Sequence, residues 1–210
     1  CKIKHFAAIT SELKRQSLAF VNDLAQIVHN NVSQYQGSIT KNLGDGFLLV
    51  WKIPQEETSV NKKGFAEPNH DSAKVKAYAD LALFCFLKTF VAIRRSGRMA
   101  IYAESQGLRE ALGRTYFPSI SVGLHVGWGI EGAIGSRFKI DASYLSANVN
   151  LARRVEEATK IFRVPLLLSS SVKNCLSSKF KELLRRVDRV ILKGSQQPIG
   201  RINLTKSFTR

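Results

Sequence analysis

The chain has 210 residues, 44% of them hydrophobic, with 32 basic against 16 acidic side chains and a formal net charge of +16. This is enough for one large domain with a real core, and no apolar run reaches the roughly 18–20 residues of a membrane span. Three cysteines without metal-ligand spacing argue against a secreted disulfide framework and for a reducing, cytosolic compartment. The basic excess favours anionic partners without naming one.

The first residue is not Met, and the opening falls inside an apolar-alternating segment. The stretch therefore reads as a piece of a longer protein, with any targeting segment or membrane anchor of the parent outside it. Residues 1–6 have a short strand pattern, Ile3 on one side and Lys2 and Lys4 on the other. Thr10-Ser11-Glu12 offers a helix start, and Leu18, Phe20, Val21, Leu24, Ile27, Val28 and Val32 recur at helical spacing. One long amphipathic helix to about Ser33 is predicted, with Gly37 as its stop. Residues 38–43 and 47–51 read as strands joined by Gly44-Asp45-Gly46, a hairpin signal that places Asp45 at the tip.

Residues 54–71 are polar and aperiodic, a surface loop or insertion. A second long helix is predicted over 72–95, closed by Ser96-Gly97, followed by a weakly helical stretch over 99–113. Residues 119–127 alternate as a strand, with 128–134 as the returning partner. Residues 138–145 form a short strand or loop, 146–162 a helix capped by Ser146, 164–169 a strand and 171–184 a helix. Residues 187–192 and 199–204 close the chain as a strand pair around Lys193-Gly194-Ser195. This order indicates a single α+β domain over 1–210, a mixed or antiparallel sheet flanked by helices. The opening strand–helix–strand–strand–helix–strand suggests a ferredoxin-like core.

Asn150 and Arg154 lie four apart on one helix and share a face. A guanidinium fork beside an amide suits anionic oxygens, although a helix arginine is commonly just solvated. Asp45 alone is an ordinary turn aspartate, and His125 reads as a packed or edge histidine. There is no serine nucleophile elbow, His-Glu-x-x-His, P-loop or paired-cysteine pattern, and Gly127-Trp128-Gly129 is too thin for a dinucleotide fingerprint. Nucleic acid is not the expected partner, because the strands lack the exposed aromatic pairs that RNA recognition needs.

In combination the motifs are specific. The run from Lys41 to Trp51 (Lys-Asn-Leu-Gly-Asp-Gly-Phe-Leu-Leu-Val-Trp) resembles the hairpin of the class III adenylyl and guanylyl cyclase catalytic domains. Residues 121–127, then Glu131-Gly-Ala-Ile-Gly135, resemble that family's next hairpin, and the run from Asn148 to Glu156 resembles its interfacial helix. The resemblance implies the nucleotide cyclase fold and the conversion of ATP to cyclic AMP and pyrophosphate, a phosphorus–oxygen lyase reaction in cyclic-nucleotide signalling. It further implies Mg²⁺ or Mn²⁺ as cofactor and a site formed between two domains, as a homodimer or as a heterodimer with another cyclase domain.

On this mapping Asp45 is a metal ligand, Lys41 reads the purine as in adenylyl cyclases, Asn150 orients the ribose, and Arg154 stabilises charge on the transferring phosphate. The second purine contact falls on Ser143 or Asp141, depending on the direction of counting. A phosphate-binding lysine corresponds to Ser195, with Lys193 close by. The family's first metal aspartate corresponds to Lys2, a cation that would repel Mg²⁺. Two readings follow: an adenylyl cyclase with weakened metal binding, or a degenerate half that completes a site with a partner supplying the aspartates.

Overall fold

The computed structural model describes residues 1–62, 64–190 and 199–204. In chain order the first half comprises β1 (Lys2–Ile3), α1 (Phe6–Leu13), α2 (Ser17–Gln34), β2 (Ser38–Asn42), β3 (Phe47–Val50), β4 (Thr58–Val60), β5 (Ala66–Pro68), α3 (Ala73–Arg95), α4 (Gly97–Glu104) and α5 (Gln106–Leu112). The second half comprises β6 (Ile120–Leu124), β7 (Ile130–Ser136), β8 (Lys139–Leu145), α6 (Ala147–Phe162), β9 (Leu166–Ser169), α7 (Ser170–Cys175), α8 (Ser178–Lys181), β10 (Leu184–Val190) and β11 (Ile199–Leu204).

The short strand β1 is occupied on both edges. On one it pairs antiparallel with β6, Lys2 opposite Ser121. On the other it meets the tip of the β2–β3 hairpin: Ile3 N–H donates to Asp45 O at 2.8 Å, and Phe47 N–H donates to Cys1 O at 2.9 Å. A Cβ on Gly46 would stand 2.3 Å from Cys1 O, so only glycine permits this approach. The resulting order β6-β1-β3-β2, antiparallel throughout, is the ferredoxin-like arrangement expected from the sequence. Beyond β6 the sheet continues through β9, which is parallel to β6, and then through β11 and β10.

Both faces of the sheet are covered. Ile3, Phe47, Ile120, Val122, Leu166 and Leu168 join Phe20, Leu24 and Val28 of α2 and Leu83 and Phe86 of α3 in the larger core. Leu167 points the other way, into a smaller cluster with Val155 and Ala158 of α6 and Val164. The unbroken leucine run of β9 is thus a strand buried on both sides, each side chain contributing about 1.5–3 kcal/mol.

Several predicted elements take a different form. The single long helix is two, because Lys14 turns the backbone left-handed (φ 47°) after Leu13. The break lets Ile9 and Leu13 of α1 be buried beside α5 while α2 buries Phe20, Leu24, Val28 and Val32. At the end of α2 the left-handed residue is Gln36 (φ 59°), not Gly37, and Gly37 N–H closes the helix on Val32 O at 2.8 Å. Gly37 is required for packing, since a Cβ there would lie 2.7 Å from Trp51 and Val32 side-chain atoms.

The expected loop at 54–71 contains the β4–β5 hairpin, whose Phe65 stacks on Trp128 at 4.5 Å between centroids and 2° between planes. Residues 99–113 fall in two helices that part at Ser105. The predicted helix over 171–184 is divided into α7 and α8, Ser177 N–H donating to Asp80 Oδ1 at 3.0 Å at the break. Among the described residues no helix is long and apolar enough to cross a membrane.

Candidate active site

Two hairpins and one helix carry those predicted residues that the structure describes. In the first hairpin Leu43 N–H donates to Gly46 O at 2.8 Å, and Gly44 takes the left-handed conformation (φ 78°) that lets the chain reverse. A bulge between Ile39 and Lys41 leaves Thr40 over and puts Lys41, exposed, opposite Leu48.

Asp45 at the tip does not stand free. Lys2 Nζ lies 2.9 Å from Asp45 Oδ2, with side-chain exposures of 26% and 38%. The two positions that the resemblance assigns to paired carboxylates are thus adjacent in space, but one of them carries an ammonium. Lys4, two residues on, is half-buried; burial pushes its pKa down, opposed by the Glu156 carboxylate. Glu156 is buried, accepts a hydrogen bond from Ser121 Oγ through Oε1, and leaves Oε2 without a partner among the described residues.

The second hairpin, β7–β8, pairs in unbroken register from Ile130–Leu145 to Ser136–Lys139. This corrects the predicted partnership of 128–134 with the β6 strand. A Cβ on Gly127 would lie 2.3 Å from Asn148 Cγ, so the chain leaves β6 against the start of α6, and β7 finds its partner in β8. Asp141 and Ser143 are two apart on β8 and therefore share a face, opposite Ile134 and Gly132 respectively. Asp141 also lies 3.4 Å from Lys139 Nζ.

β8 lies beside β2, the strand of Lys41. The two hairpins are tied by Lys52, whose Nζ donates to both Glu131 oxygens at 2.7 and 2.6 Å. Hydrogen bonds to Glu131 and Tyr144 push the Lys52 pKa up, and the bond from Lys52 holds Glu131 below the usual carboxylate range. This tether joins residues 79 apart, and no local signal in the sequence announces it.

α6 supplies Asn150 and Arg154. Its N-cap is Ser146, whose Oγ accepts from Asn148 N–H at 3.0 Å and donates to Trp128 O at 2.6 Å. Asn148 Nδ2 also donates to Trp128 O, at 2.9 Å, so Asn148 Oδ1 accepts from His125 Nε2–H at 3.1 Å. His125 Nδ1 then accepts from Ser169 Oγ at 2.9 Å, and burial lowers the histidine pKa. His125 is accordingly a neutral strut between β9 and α6, as a packed histidine should be. α6 can lie this close because a Cβ on Gly123 would stand 2.3 Å from Glu156 N.

With Val155, Glu156, Ala158 and Thr159 buried, α6 presents Asn150 exposed and Arg154 half-exposed one turn apart. Arg153 is taken by Glu157 at 3.0 Å, whereas no ion pair or hydrogen bond holds Arg154 among the described residues. A cleft of about 420 Å³ opens between Trp128, Ile130 and Tyr144 and the start of α6, with Asn150 on its wall. Lys41, Asp45 and Arg154 do not line it. The predicted Lys193 and its neighbour Ser195 lie outside the described residues.

Residues 1–204 match the model of the adenylate and guanylate cyclase catalytic domain. The chain belongs to that family. The cyclase domain is 34% identical over 204 residues to an adenylate cyclase of Anabaena cylindrica, an alignment covering 95% of this chain and 34% of the relative. It thus spans about a third of that relative's length. In fold it is similar to a bacterial light-regulated adenylyl cyclase (TM-score 0.69, 20% identity, 97% of this chain and 50% of that one). It is likewise similar to the adenylyl cyclase CyaB from P. aeruginosa (TM-score 0.66, 20% identity, 99% and 92% covered). A third similar fold is the guanylate cyclase domain of RhGC from Catenaria anguillulae in complex with GTP (TM-score 0.67, 15% identity, 97% and 92% covered).

Cyclase domains of this family use Mg²⁺ or Mn²⁺, and the residues present do not fit such an ion. Asp45 is already paired with Lys2, and no group of three or more His, Cys, Asp or Glu side chains could hold a metal among the described residues.

Proposed function

We propose that this cyclase domain takes part in forming cyclic AMP and pyrophosphate from ATP at an interface with a second cyclase domain. In this reading the chain contributes the residues that read and orient the nucleotide. Lys41 contacts the purine, Ser143 or Asp141 accepts from the adenine amino group, Asn150 positions the ribose, and Arg154 meets charge developing on the phosphate as the ribose 3′-oxygen attacks it. Lys193 is the remaining candidate for the phosphates. The carboxylates for Mg²⁺ or Mn²⁺ come from the second domain.

The observation that carries this reading is the Lys2–Asp45 ion pair, which removes a free carboxylate pair from the chain. The exposed, unpaired face of Asn150 and Arg154 supports it, as do the exposed apolar residues of the β7–β8 hairpin (Ile130, Ile134, Phe138 and Ile140) available to a partner domain. A second reading, a self-sufficient homodimeric adenylyl cyclase, is favoured by the 34% identity to an adenylate cyclase.

The test measures cyclic AMP from the purified chain, alone and mixed with an intact cyclase domain whose own arginine at the Arg154 position is removed. Activity is expected only in the mixture, and Arg154→Ala should lower it by about 10²–10³-fold. Robust activity from the chain alone would reject the half-site reading in favour of the homodimer.

A further inference from the structure

Lys2 sits on a strand that has nowhere to move. Cys1 and Ile3 are bonded to Phe47 and Asp45 on one side, Lys2 pairs with Ser121 on the other, and Gly46 leaves the hairpin tip in direct contact with the Cys1 carbonyl. Backbone on both edges therefore fixes the strand from which the Lys2 ammonium reaches Asp45 Oδ2 at 2.9 Å. An ammonium has three donors, and Asp45 takes one. With 26% of the side chain exposed, Lys2 can turn the others to an anion arriving from solvent.

We infer that the Lys2 ammonium is a built-in cation that keeps divalent metal away from Asp45 and binds the phosphate oxygens of a nucleoside triphosphate, so that this chain takes up the triphosphate metal-free. The inference rests on the nucleotide-binding reading above for its second half only. Two carboxylates in one place are a doubly negative site that calls for a divalent ion. A lysine with an aspartate is formally neutral and offers no such excess. A Mg²⁺ ion approaching Asp45 would have to displace the ammonium and then remain beside it, and like charges at this separation repel strongly. Mg²⁺ is held by one or two carboxylates with water and phosphate completing its shell, and among the described residues no group of three or more His, Cys, Asp or Glu stands in for the second carboxylate that is missing beside Asp45. A lysine, by contrast, binds phosphate well as a compact point charge.

Two measurements on the chain test the inference. Electron paramagnetic resonance of added Mn²⁺, with no nucleotide present, should show the ion free in the wild type and in Asp45→Asn. It should show the ion bound in Lys2→Asp, and free again when Asp45→Asn is added to that variant. Mn²⁺ bound by the wild type and lost in Asp45→Asn would overturn metal exclusion. Calorimetry with ATP should give the same affinity in excess chelator and in Mg²⁺, a loss of roughly tenfold in Lys2→Met, and retention in Lys2→Arg.

ATP binding that disappears with chelator, or that Lys2→Met leaves unchanged, would reject the phosphate role and leave Lys2 as a structural partner of Asp45. ATP bound under neither condition would reject the phosphate role together with the nucleotide reading, while the Mn²⁺ result still decides metal exclusion by itself.

Discussion

The two hairpins of the candidate site are built on opposite principles. The β2–β3 hairpin is fused to the main sheet: its tip shares backbone hydrogen bonds with β1, Phe47 is buried in the larger core, and Trp51 beyond it donates Nε1–H to Tyr35 O at 2.8 Å. Every residue of β7 is exposed, and the β7–β8 hairpin is held mainly by its own register, by the Lys52–Glu131 pair and by its neighbour β2. The backbone that carries a charged group on the first hairpin is fixed to the precision of a sheet. Groups on the second, Asp141 and Ser143, are fixed relative to one another by the unbroken register and tied to the first hairpin by the Lys52–Glu131 pair. On the reading proposed above, in which a second domain completes the site, the first hairpin offers that domain a preformed surface and the second a fully exposed one.

The largest expected effect attacks the fused hairpin. Gly46→Ala places a methyl 2.3 Å from the Cys1 carbonyl. It should cost about 3 kcal/mol, read as a lowered urea midpoint with an unchanged slope. A change below about 0.5 kcal/mol would mean that the tip is not clamped.

The next effect concerns the tether. Because Glu131 is held below its ordinary pKa, its contribution is present above that ordinary value and is lost as pH falls through the lowered one. Because Lys52 is raised, its contribution is present below the ordinary lysine value and is lost only as pH rises through the raised one. The tether is therefore closed at neutral pH and opens in acid. Relative to the intrinsic exchange rate at each pH, hydrogen exchange of residues 130–145 should accelerate on acidification, and already at neutral pH in Lys52→Ala, while residues 47–50 stay protected as they were. Equal acceleration in both hairpins would erase the distinction between them.

The smallest effect is the control. Gly132→Ala, with nothing within 4 Å of the new Cβ, should change stability by less than about 0.5 kcal/mol.

Much of this was legible in the sequence, and the failures have a common cause. Asp-Gly turn chemistry marked the first hairpin, helical spacing and a serine cap marked α6, and strand–helix alternation indicated the β6-β1-β3-β2 order. These are local patterns or simple topology. What escaped was the choice of partner. Alternation makes 128–134 a strand but does not say that it pairs with β8, because that depends on how closely Gly127 lets Asn148 approach. The break after Leu13 follows from two burial directions that no single helix can serve. Lys2 was recognisable as a substitution at a carboxylate position. That its ammonium would rest on Asp45 required β1 and the hairpin tip to be seen side by side.

Phe65 on Trp128 has a practical consequence. The chain has two tryptophans. Trp51 is seated beside Phe86, while Trp128 lies flat under a side chain of the β4–β5 hairpin and lends its carbonyl to the first turn of α6. Their emission therefore divides the molecule: light from Trp51 reports whether the interior is assembled, and light from Trp128 reports whether the excursion at 54–71 is stacked on its indole. With Trp51 replaced by Phe, the single remaining fluorophore would report the Phe65–Trp128 stack without any attached dye.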